Sequence, residues 1–235
     1  MIAGERVVAV VPARGGSKAI PLKNLQTVGG VSLVGRAVAT AKATPAVDRV
    51  LCSTDHDGIA AEAAAHGAEI VVRPEALAGD HVIVKDILLD LREKLRAEGE
   101  TAAIMVLLEP TAPFREPADI TTCLERMAAE KLDSIATFTT AALHPHRAWR
   151  ITDGRPETFI DGAVPWLPRQ QLPPAYMLNG LVYAFRIEGL VAFDGPGIVF
   201  GRSGAVPVPP ERSLDIDSWT DLDVADAVHR RLHGL

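Results

Sequence analysis

The chain has 235 residues, 48% of them hydrophobic and 23% charged, with a formal net charge of −6 at pH 7. That length suits one α/β domain, and the acidic balance argues against a general nucleic-acid-binding protein, which would present a basic face. No apolar run approaches the roughly 18 residues of a membrane span, and no secretory leader is recognisable. Cys52 and Cys123 fall in predicted core elements, so we expect a cytoplasmic protein with reduced thiols and no membrane partner.

Strand and helix patterns alternate along the first half of the chain. Short apolar runs predict buried strands, and the stretches between them carry apolar residues at helical spacing. Asp57 is the predicted N-cap of the second helix, which Gly67 is expected to end. The alternation predicts an α/β fold with a doubly wound, mainly parallel sheet, whose ligands bind beyond the carboxyl ends of the strands. The predicted strands are 7–11, 48–53, 69–72, 103–108 and 134–138, and the predicted helices are 32–42, 57–66, 80–95 and 116–127.

The alternation of strand and helix patterns stops between about residue 140 and residue 176. Six prolines interrupt this stretch and no helical stripe survives in it, so we predict an inserted flap of extended segments. Strands are predicted again at 181–186 and 198–208, and an amphipathic helix at 218–232 closes the chain. The whole chain, 1–235, is therefore interpreted as one domain that carries a flap.

A glycine-rich, cationic loop follows the first predicted strand. Pro12 stops the strand, Ala-Arg-Gly-Gly-Ser-Lys occupies 13–18, and Lys23 and Asn24 follow on the same connection. Glycines let backbone amides approach an anion and cations neutralise it, so the loop predicts a polyphosphate site. Neither the dinucleotide fingerprint nor the P-loop pattern is present. An ordinary loop with surface cations is the alternative.

Residues 12–24 closely resemble the signature loop of the sugar-acid cytidylyltransferases, the CMP-sialic acid synthetase family. These enzymes couple a nine-carbon 2-keto sugar acid to CTP and release pyrophosphate. The family usually has glycine after the lysine, where this chain has Ala19. The resemblance runs along the whole chain and implies a Rossmann-like nucleotidyltransferase fold and a homodimer in which the flap completes the partner's active site.

The residues that bind the nucleotide are predicted from this loop and from the resemblance together. The segment 73–80 matches the family's Arg-Pro-x-x-Leu-Ala-x-Asp, and Asp55 after the second strand either contacts the nucleotide or caps the next helix. The predicted nucleotide-binding residues are Ala13, Arg14, Gly15, Ser17, Lys18, Lys23, Asn24, Arg73 and Asp80.

A second motif, Leu-Leu-Glu-Pro-Thr-Ala-Pro-Phe-Arg, occupies 107–115. Its prolines stiffen the turn that presents Thr111 and Arg115, which we predict to contact substrate. Glu109 stands where the family usually has a glutamine that reaches the sugar. An ionised carboxylate accepts hydrogen bonds but cannot donate them, so Glu109 leaves the acceptor open or implies an amino or hydroxyl group opposite it. A surface position for Glu109 is the alternative.

The flap and the strand after it supply further predicted substrate contacts. Arg147 and Arg169 match the family's cations, and two guanidinium groups could hold the carboxylate of a 2-keto sugar acid. Gln170 lies in the same matching segment, and Asn179 and Tyr183 fit the family's Asn-Gly-x-x-Tyr. Flap arginines in water and a core Tyr183 are the alternatives.

The third motif is Ser-Leu-Asp-Ile-Asp at 213–217. Alternate residues of an extended segment share a face, so the Asp215 and Asp217 carboxylates should point the same way, with Ile216 in the core. Two hard oxygen ligands opposite a phosphate loop suit Mg²⁺ on a triphosphate. A helix-capping role with Ser218 is the alternative for Asp217.

Together the motifs predict nucleotidyl transfer from CTP to a sugar acid, with Mg²⁺ as cofactor. Two alternatives remain: the same fold acting on the eight-carbon sugar acid Kdo or a non-sugar acceptor, and a non-catalytic nucleotide-binding domain. The predicted catalytic residues are Arg14, Lys23, Asp215 and Asp217.

Overall fold

The computed structural model describes residues 1–234, which form a central sheet, two short hairpins and the helices that cover the sheet. The strands are β1 (Val7–Pro12), β2 (Thr27–Val28), β3 (Val31–Ser32), β4 (Arg49–Thr54), β5 (Glu69–Val72), β6 (Ile104–Leu107), β7 (Ser134–Thr140), β8 (Trp149–Thr152), β9 (Arg155–Thr158), β10 (Tyr176–Arg186) and β11 (Ser203–Pro207). The helices are α1 (Leu33–Lys42), α2 (Asp57–Ala65), α3 (Val84–Ala97), α4 (Pro117–Glu130), α5 (Ile187–Ala192) and α6 (Trp219–His233).

Seven strands form one sheet in the order β11-β7-β10-β6-β1-β4-β5. The pairs β1–β4, β1–β6, β4–β5 and β7–β11 are parallel, and β10 runs antiparallel to both β6 and β7. The predicted mainly parallel sheet is confirmed. Hairpins β2–β3 and β8–β9 lie outside this sheet.

Helices cover both faces of the sheet, as the interior strand β1 shows. Val7, Ala9 and Val11 belong to a core cluster shared with α1, α2 and α4, whereas Val8 and Val10 belong to one shared with α3 and α5. All five side chains are fully buried. Burial on both faces explains why β1 is an uninterrupted apolar run rather than an alternating one.

The structure shifts several predicted boundaries. Strand β10 begins at Tyr176, five residues earlier than predicted, and continues through a register shift between Leu178 and Tyr183. The last strand, Ser203–Pro207, is shorter than the predicted 198–208, and helix α5 was not predicted. Alternation cannot show where a strand changes register, because both sides of the shift are compatible with the same apolar pattern.

The predicted N-cap of the second helix was wrong. His56, not Asp57, occupies that position, and its Nδ1 accepts hydrogen bonds from the N–H groups of Gly58 (3.1 Å) and Ile59 (3.4 Å). Asp57 is the first helical residue, where a carboxylate still interacts favourably with the helix dipole. Within residues 1–234 no helix is long and apolar enough to cross a membrane.

The strand topology gathers the sequence motifs at one edge of the sheet. β1, β4, β5 and β6 all end there, and the antiparallel β10 enters from the same side. The loop after β1, the residues after β5 and β6, and the 213–217 segment can therefore face one another, as the fold class predicts.

The opposite edge of the sheet is held by an ionic network. Glu100 accepts hydrogen bonds from Arg6 Nε (2.7 Å) and Nη2 (3.0 Å) and from Arg49 Nη1 (3.1 Å), and Arg49 also bonds Glu69 and Glu98. The Glu100 side chain is only 6% exposed. Hydrogen bonds from Arg6 lower the pKa of Glu100 to about 2.

We expect Glu100→Gln to lower the free energy of unfolding at pH 7, because Arg6 and Arg49 lose their charged partner. The loss should be only roughly 1–2 kcal/mol, since solvent around Arg6 screens the pair. The depressed pKa means that this stabilisation is present above pH 4.5 and is lost as the pH falls towards 2. Denaturant unfolding at pH 7 and pH 3 measures both effects, with exposed Glu125→Gln as the control. The same pH dependence in Glu100→Gln and in the unsubstituted protein would contradict the assignment.

Candidate active site

A cavity of about 450 Å³ opens at the motif-bearing edge of the sheet. Its wall is built from the loop after β1, the segment between β5 and α3, the turn after β6 and the start of the α6 connection. The predicted site residues on the wall are Arg14, Ser17, Lys18, Lys23, Asn24, Arg73, Asp80, Glu109, Thr111 and Asp217.

The loop after β1 is fixed from beneath by its own backbone and two side chains. Ala13 is fully buried and donates its N–H to the Ser53 carbonyl (2.9 Å), and the buried Asn24 donates Nδ2–H to the Arg14 carbonyl (3.0 Å). Asp55 accepts the Gly15 N–H at 2.8 Å. Asp55 thus holds the loop, a role that neither sequence interpretation included.

Lys23 links the loop after β1 to the 216–217 segment near the other end of the sequence. Its Nζ donates to the Ile216 carbonyl (2.8 Å) and to Asp217 Oδ1 (2.9 Å). The preceding residue, Leu22, has φ 47° in the left-handed region, which costs a bulky residue about 1–2 kcal/mol. This strained turn presents the lysine to the 216–217 segment, and nothing in the sequence pattern indicated it.

Asp80 lies between two cations of the loop. Its carboxylate pairs with Arg14 Nη1 at 2.7 Å and with Lys18 Nζ at 2.6 Å. Hydrogen bonds from Lys18 and Arg14 lower the pKa of Asp80. A carboxylate in this position occupies the donors that an incoming phosphate would need.

Arg73 forms the wall on the β5 side. It is buried and donates from Nη2 to the Ser53 carbonyl (2.7 Å) and from Nε to Ser53 Oγ (3.2 Å). Burial lowers its pKa. Val82, Val84 and Ile87 add an apolar strip to the same side of the cavity; the sequence pattern had indicated only that Val84 and Ile87 face the core.

Arg115 lies behind the cavity wall instead of on it. Its fully buried guanidinium donates to the carbonyl oxygens of Glu109 (2.7 Å), Gly180 (3.0 Å) and Leu181. Burial lowers the pKa of Arg115 to about 10, so it is still charged at neutral pH. The geometry favours a positioning role for this side chain over the direct substrate contact that the sequence predicts.

Asn179 and Tyr183 also lie in the wall's supporting layer. Asn179 accepts a hydrogen bond from Thr137 Oγ1 (2.7 Å) and donates to Ser213 Oγ (3.0 Å), which ties β7 and β10 to the third motif. Tyr183 belongs to the core, and burial raises the pKa of its hydroxyl.

The 213–217 segment is anchored at Ile216, as predicted. Ile216 is fully buried and donates its N–H to the Thr111 carbonyl (2.9 Å). Ser218 and Asp221 form the capping box of α6, so the Asp217 carboxylate is not the cap of that helix.

The acidic pair has the chemistry that a divalent cation needs. Desolvation and the nearby Asp217 charge raise the pKa of Asp215, and a bound cation would relieve that repulsion. Within residues 1–234 no group of three or more histidine, cysteine or acidic residues is arranged to hold a metal. The Asp215–Asp217 pair fits Mg²⁺ if phosphate oxygens and water complete the coordination.

The flap residues predicted to hold the sugar do not line this cavity. Arg147, Arg169 and Gln170 line a second cavity of about 270 Å³ beside the ends of β7 and β10. Arg147 Nη2 donates to the Leu167 carbonyl at 3.0 Å. A single chain therefore brings the three motifs together but leaves the flap side chains apart from them.

A sequence profile described as Cytidylyltransferase matches residues 8–183. The chain belongs to the cytidylyltransferase family. It is 26% identical over 227 residues to post-translational flagellin modification protein B of Campylobacter coli, with 94% of this chain and 93% of that protein covered. It is 30% identical over 185 residues to CMP-N,N'-diacetyllegionaminic acid synthase of Legionella pneumophila, with 76% of this chain and 77% of that protein covered.

Among solved structures, CMP:2-keto-3-deoxy-manno-octonic acid synthetase complexed with CTP has the same fold, with a TM-score of 0.72 and 20% identity. The match covers 97% of this chain and 100% of that one. The family membership and the legionaminic acid relative confirm the resemblance to the CMP-sialic acid synthetases. This cytidylyltransferase is therefore a nucleotidyltransferase with a Rossmann-like fold.

We expect Asp80→Asn to raise the affinity of this cytidylyltransferase for inorganic pyrophosphate about three- to fivefold, because Arg14 and Lys18 lose a competing carboxylate. Calorimetry at low ionic strength measures the change, since salt screens exposed pairs. The control is Asp90→Asn, which removes an ion pair with Lys94 elsewhere on the surface. An unchanged or weaker affinity would show that Asp80 does not compete with the anion.

Proposed function

We propose that this cytidylyltransferase couples CTP to a nine-carbon 2-keto sugar acid of the sialic, deaminated sialic, legionaminic or pseudaminic type, giving a CMP-sugar and pyrophosphate. The observation that carries the proposal is the Lys23 contact, which sets the phosphate loop against the Asp217 segment in one cavity. The legionaminic acid relative supports the acceptor class. We place the reaction in the cytoplasm, where CTP is available.

In the proposed reaction the 2-hydroxyl oxygen of the sugar acid attacks the α-phosphorus of CTP. The bond from that phosphorus to the α–β bridging oxygen breaks, and pyrophosphate leaves with the bonding electron pair. No covalent enzyme intermediate is needed, because positioning and charge stabilisation supply the catalysis. Arg14, Lys18 and Lys23 neutralise the leaving group, with Ser17 as a further hydrogen-bond donor on the wall.

Asp215 and Asp217 are the residues that would hold Mg²⁺. When bound there, the ion would supply positive charge against the triphosphate and favour ionisation of the attacking hydroxyl. The protein's own part is to keep the two carboxylates in place. It does so through the buried Ile216 between them and the Lys23 ammonium beside Asp217.

The acceptor side combines a fixed wall with a flap. Glu109 and Thr111 line the cavity, and Arg115 and Asn179 hold that wall from behind. We assign Arg147, Arg169 and Gln170 to the cavity of the partner in a homodimer, because they lie apart from the cavity of their own chain.

Exposed apolar side chains on the flap support the homodimer. Leu143 is 88% exposed, Ile151 74% and Trp166 81%, and Phe159 and Tyr176 are also exposed. A concentration of large apolar side chains of this kind marks an interaction surface. A second copy of the chain is the occupant that would also bring two flap arginines to each cavity.

We expect Asp215→Asn and Asp217→Asn each to reduce CTP-dependent pyrophosphate release at least a hundredfold, because the metal loses a charged ligand. Pyrophosphate release is measured with CTP, UTP, ATP and GTP against a panel of 2-keto sugar acids, with and without Mg²⁺. Asp223→Asn, on the exposed side of α6, is the control. Near-normal release by Asp215→Asn would refute the proposed role of the acidic pair.

We expect the protein to be dimeric by light scattering, and Trp166→Glu to make it monomeric while Val72→Glu, on an equally exposed site outside the flap, does not. Mixing inactive Asp215→Asn with inactive Arg169→Ala should restore about one quarter of the activity, because half of the randomly formed dimers carry one intact site of two. No recovery after subunit exchange would contradict a flap that acts in the partner's cavity.

A further inference from the structure

The Glu109 carboxylate is a charged group on the cavity wall that the protein leaves without a partner. Within residues 1–234 its side chain makes no hydrogen bond or ion pair, and Arg115 bonds only its main-chain oxygen. The other acidic wall residues differ, since Asp80 pairs with two cations and Asp217 with Lys23. A charge that the fold does not satisfy is available to a ligand.

The main chain that carries this carboxylate is held in place by hydrogen bonds. The Glu109 N–H donates to the Gly180 carbonyl at 3.3 Å, and Arg115 holds both carbonyls. Gly180 has φ +71°, and a Cβ atom there would lie 2.5 Å from Glu109 Oε2. The absence of a side chain at Gly180 therefore leaves room for the Glu109 carboxylate beside the β10 backbone.

The sheet order places Glu109 on the acceptor side of the cavity. The cationic loop follows strand β1, and Arg73 follows β5 on one side of it. Glu109 follows β6 on the other side, next to β10. The predicted nucleotide-binding residues of the loop and Arg73 thus lie to one side of Glu109, which leaves the space beside Glu109 for the group that attacks the α-phosphorus.

The local charge determines what that group can offer. Glu109 lies close enough to Asp215 and Asp217 to feel both charges, and neither Arg115 nor Lys23 donates a hydrogen bond to its carboxylate. An ionised carboxylate offers only acceptor oxygens. A hydroxyl or amine beside it gains a charge-assisted hydrogen bond, whereas a carbonyl oxygen meets a second acceptor and is repelled.

We propose that Glu109 determines acceptor specificity by accepting a hydrogen bond from a hydroxyl or amine of the sugar acid and by excluding an acyl carbonyl from that position. The inference rests on the proposed function, because it requires an acceptor that binds beside Glu109. It narrows the acceptor class to 2-keto sugar acids that present a hydroxyl or amine, and not an acyl carbonyl, beside Glu109.

The test uses pairs of acceptors that differ only by a hydroxyl or an acetamido group at one carbon, such as deaminated sialic acid and sialic acid. Pyrophosphate release gives kcat/KM for each with the unsubstituted enzyme, Glu109→Gln and the control Glu125→Gln. We expect the unsubstituted enzyme to prefer the hydroxyl acceptor of at least one pair, and Glu109→Gln to reduce that preference about tenfold or more. The KM for CTP should be unchanged in both variants.

Three possible results distinguish failure of the inference from failure of the proposed function. Release with an unchanged acceptor ratio in Glu109→Gln overturns the inference and leaves the proposed function standing. No release from any acceptor by the unsubstituted enzyme refutes the proposed function, and the inference with it. If Glu109→Gln does not fold by circular dichroism, Glu109→Asp, which keeps the charge, must retain the preference for the hydroxyl acceptor, and loss of that preference overturns the inference.

Discussion

The contact of Lys23 with Ile216 and Asp217 is the interaction on which the cavity depends. It joins residues separated by more than 190 positions in the chain, at 2.8 and 2.9 Å. Asp217 is 77% exposed, so the ion pair alone would be weak in water. The bond to the Ile216 carbonyl adds direction, because Ile216 is fully buried and cannot move without disturbing the core. One ammonium group thus fixes the distance between the cationic loop and the acidic segment.

The free protein already balances the charges of its cavity. Arg14 and Lys18 share Asp80, and Lys23 is paired with Asp217. A triphosphate that enters therefore exchanges one set of ionic partners for another and does not meet three unpaired cations. The gain is the difference between two sets of charge-assisted bonds, which favours selectivity over raw affinity. Such a balance suits an enzyme that must release pyrophosphate after each turnover.

The sequence predicted the sheet class and the edge of the sheet at which the motifs meet, because burial on both faces and the clustering of glycines and cations are local properties. It could not predict that Asp55 holds the Gly15 amide or that Arg115 turns inward to three carbonyls. Those contacts depend on which strands become neighbours. Spacing along the chain shows the face on which a side chain lies, but not the partner across from it.

The inward direction of Arg115 explains how one wall of the cavity can carry an unsatisfied carboxylate. Three backbone carbonyls face Arg115, one in the turn after β6 and two in β10. Buried carbonyls need donors, and a guanidinium provides several in a fixed plane. A lysine would reach fewer of them, and an apolar residue would remove this donor from all three, leaving the Glu109 and Gly180 carbonyls with only their main-chain partners. With those carbonyls satisfied from behind, the turn does not need the Glu109 side chain for its own stability. That carboxylate lines the cavity, and the buried arginine offsets its negative charge only in part, since burial and the Asp215 charge still raise the pKa of Glu109.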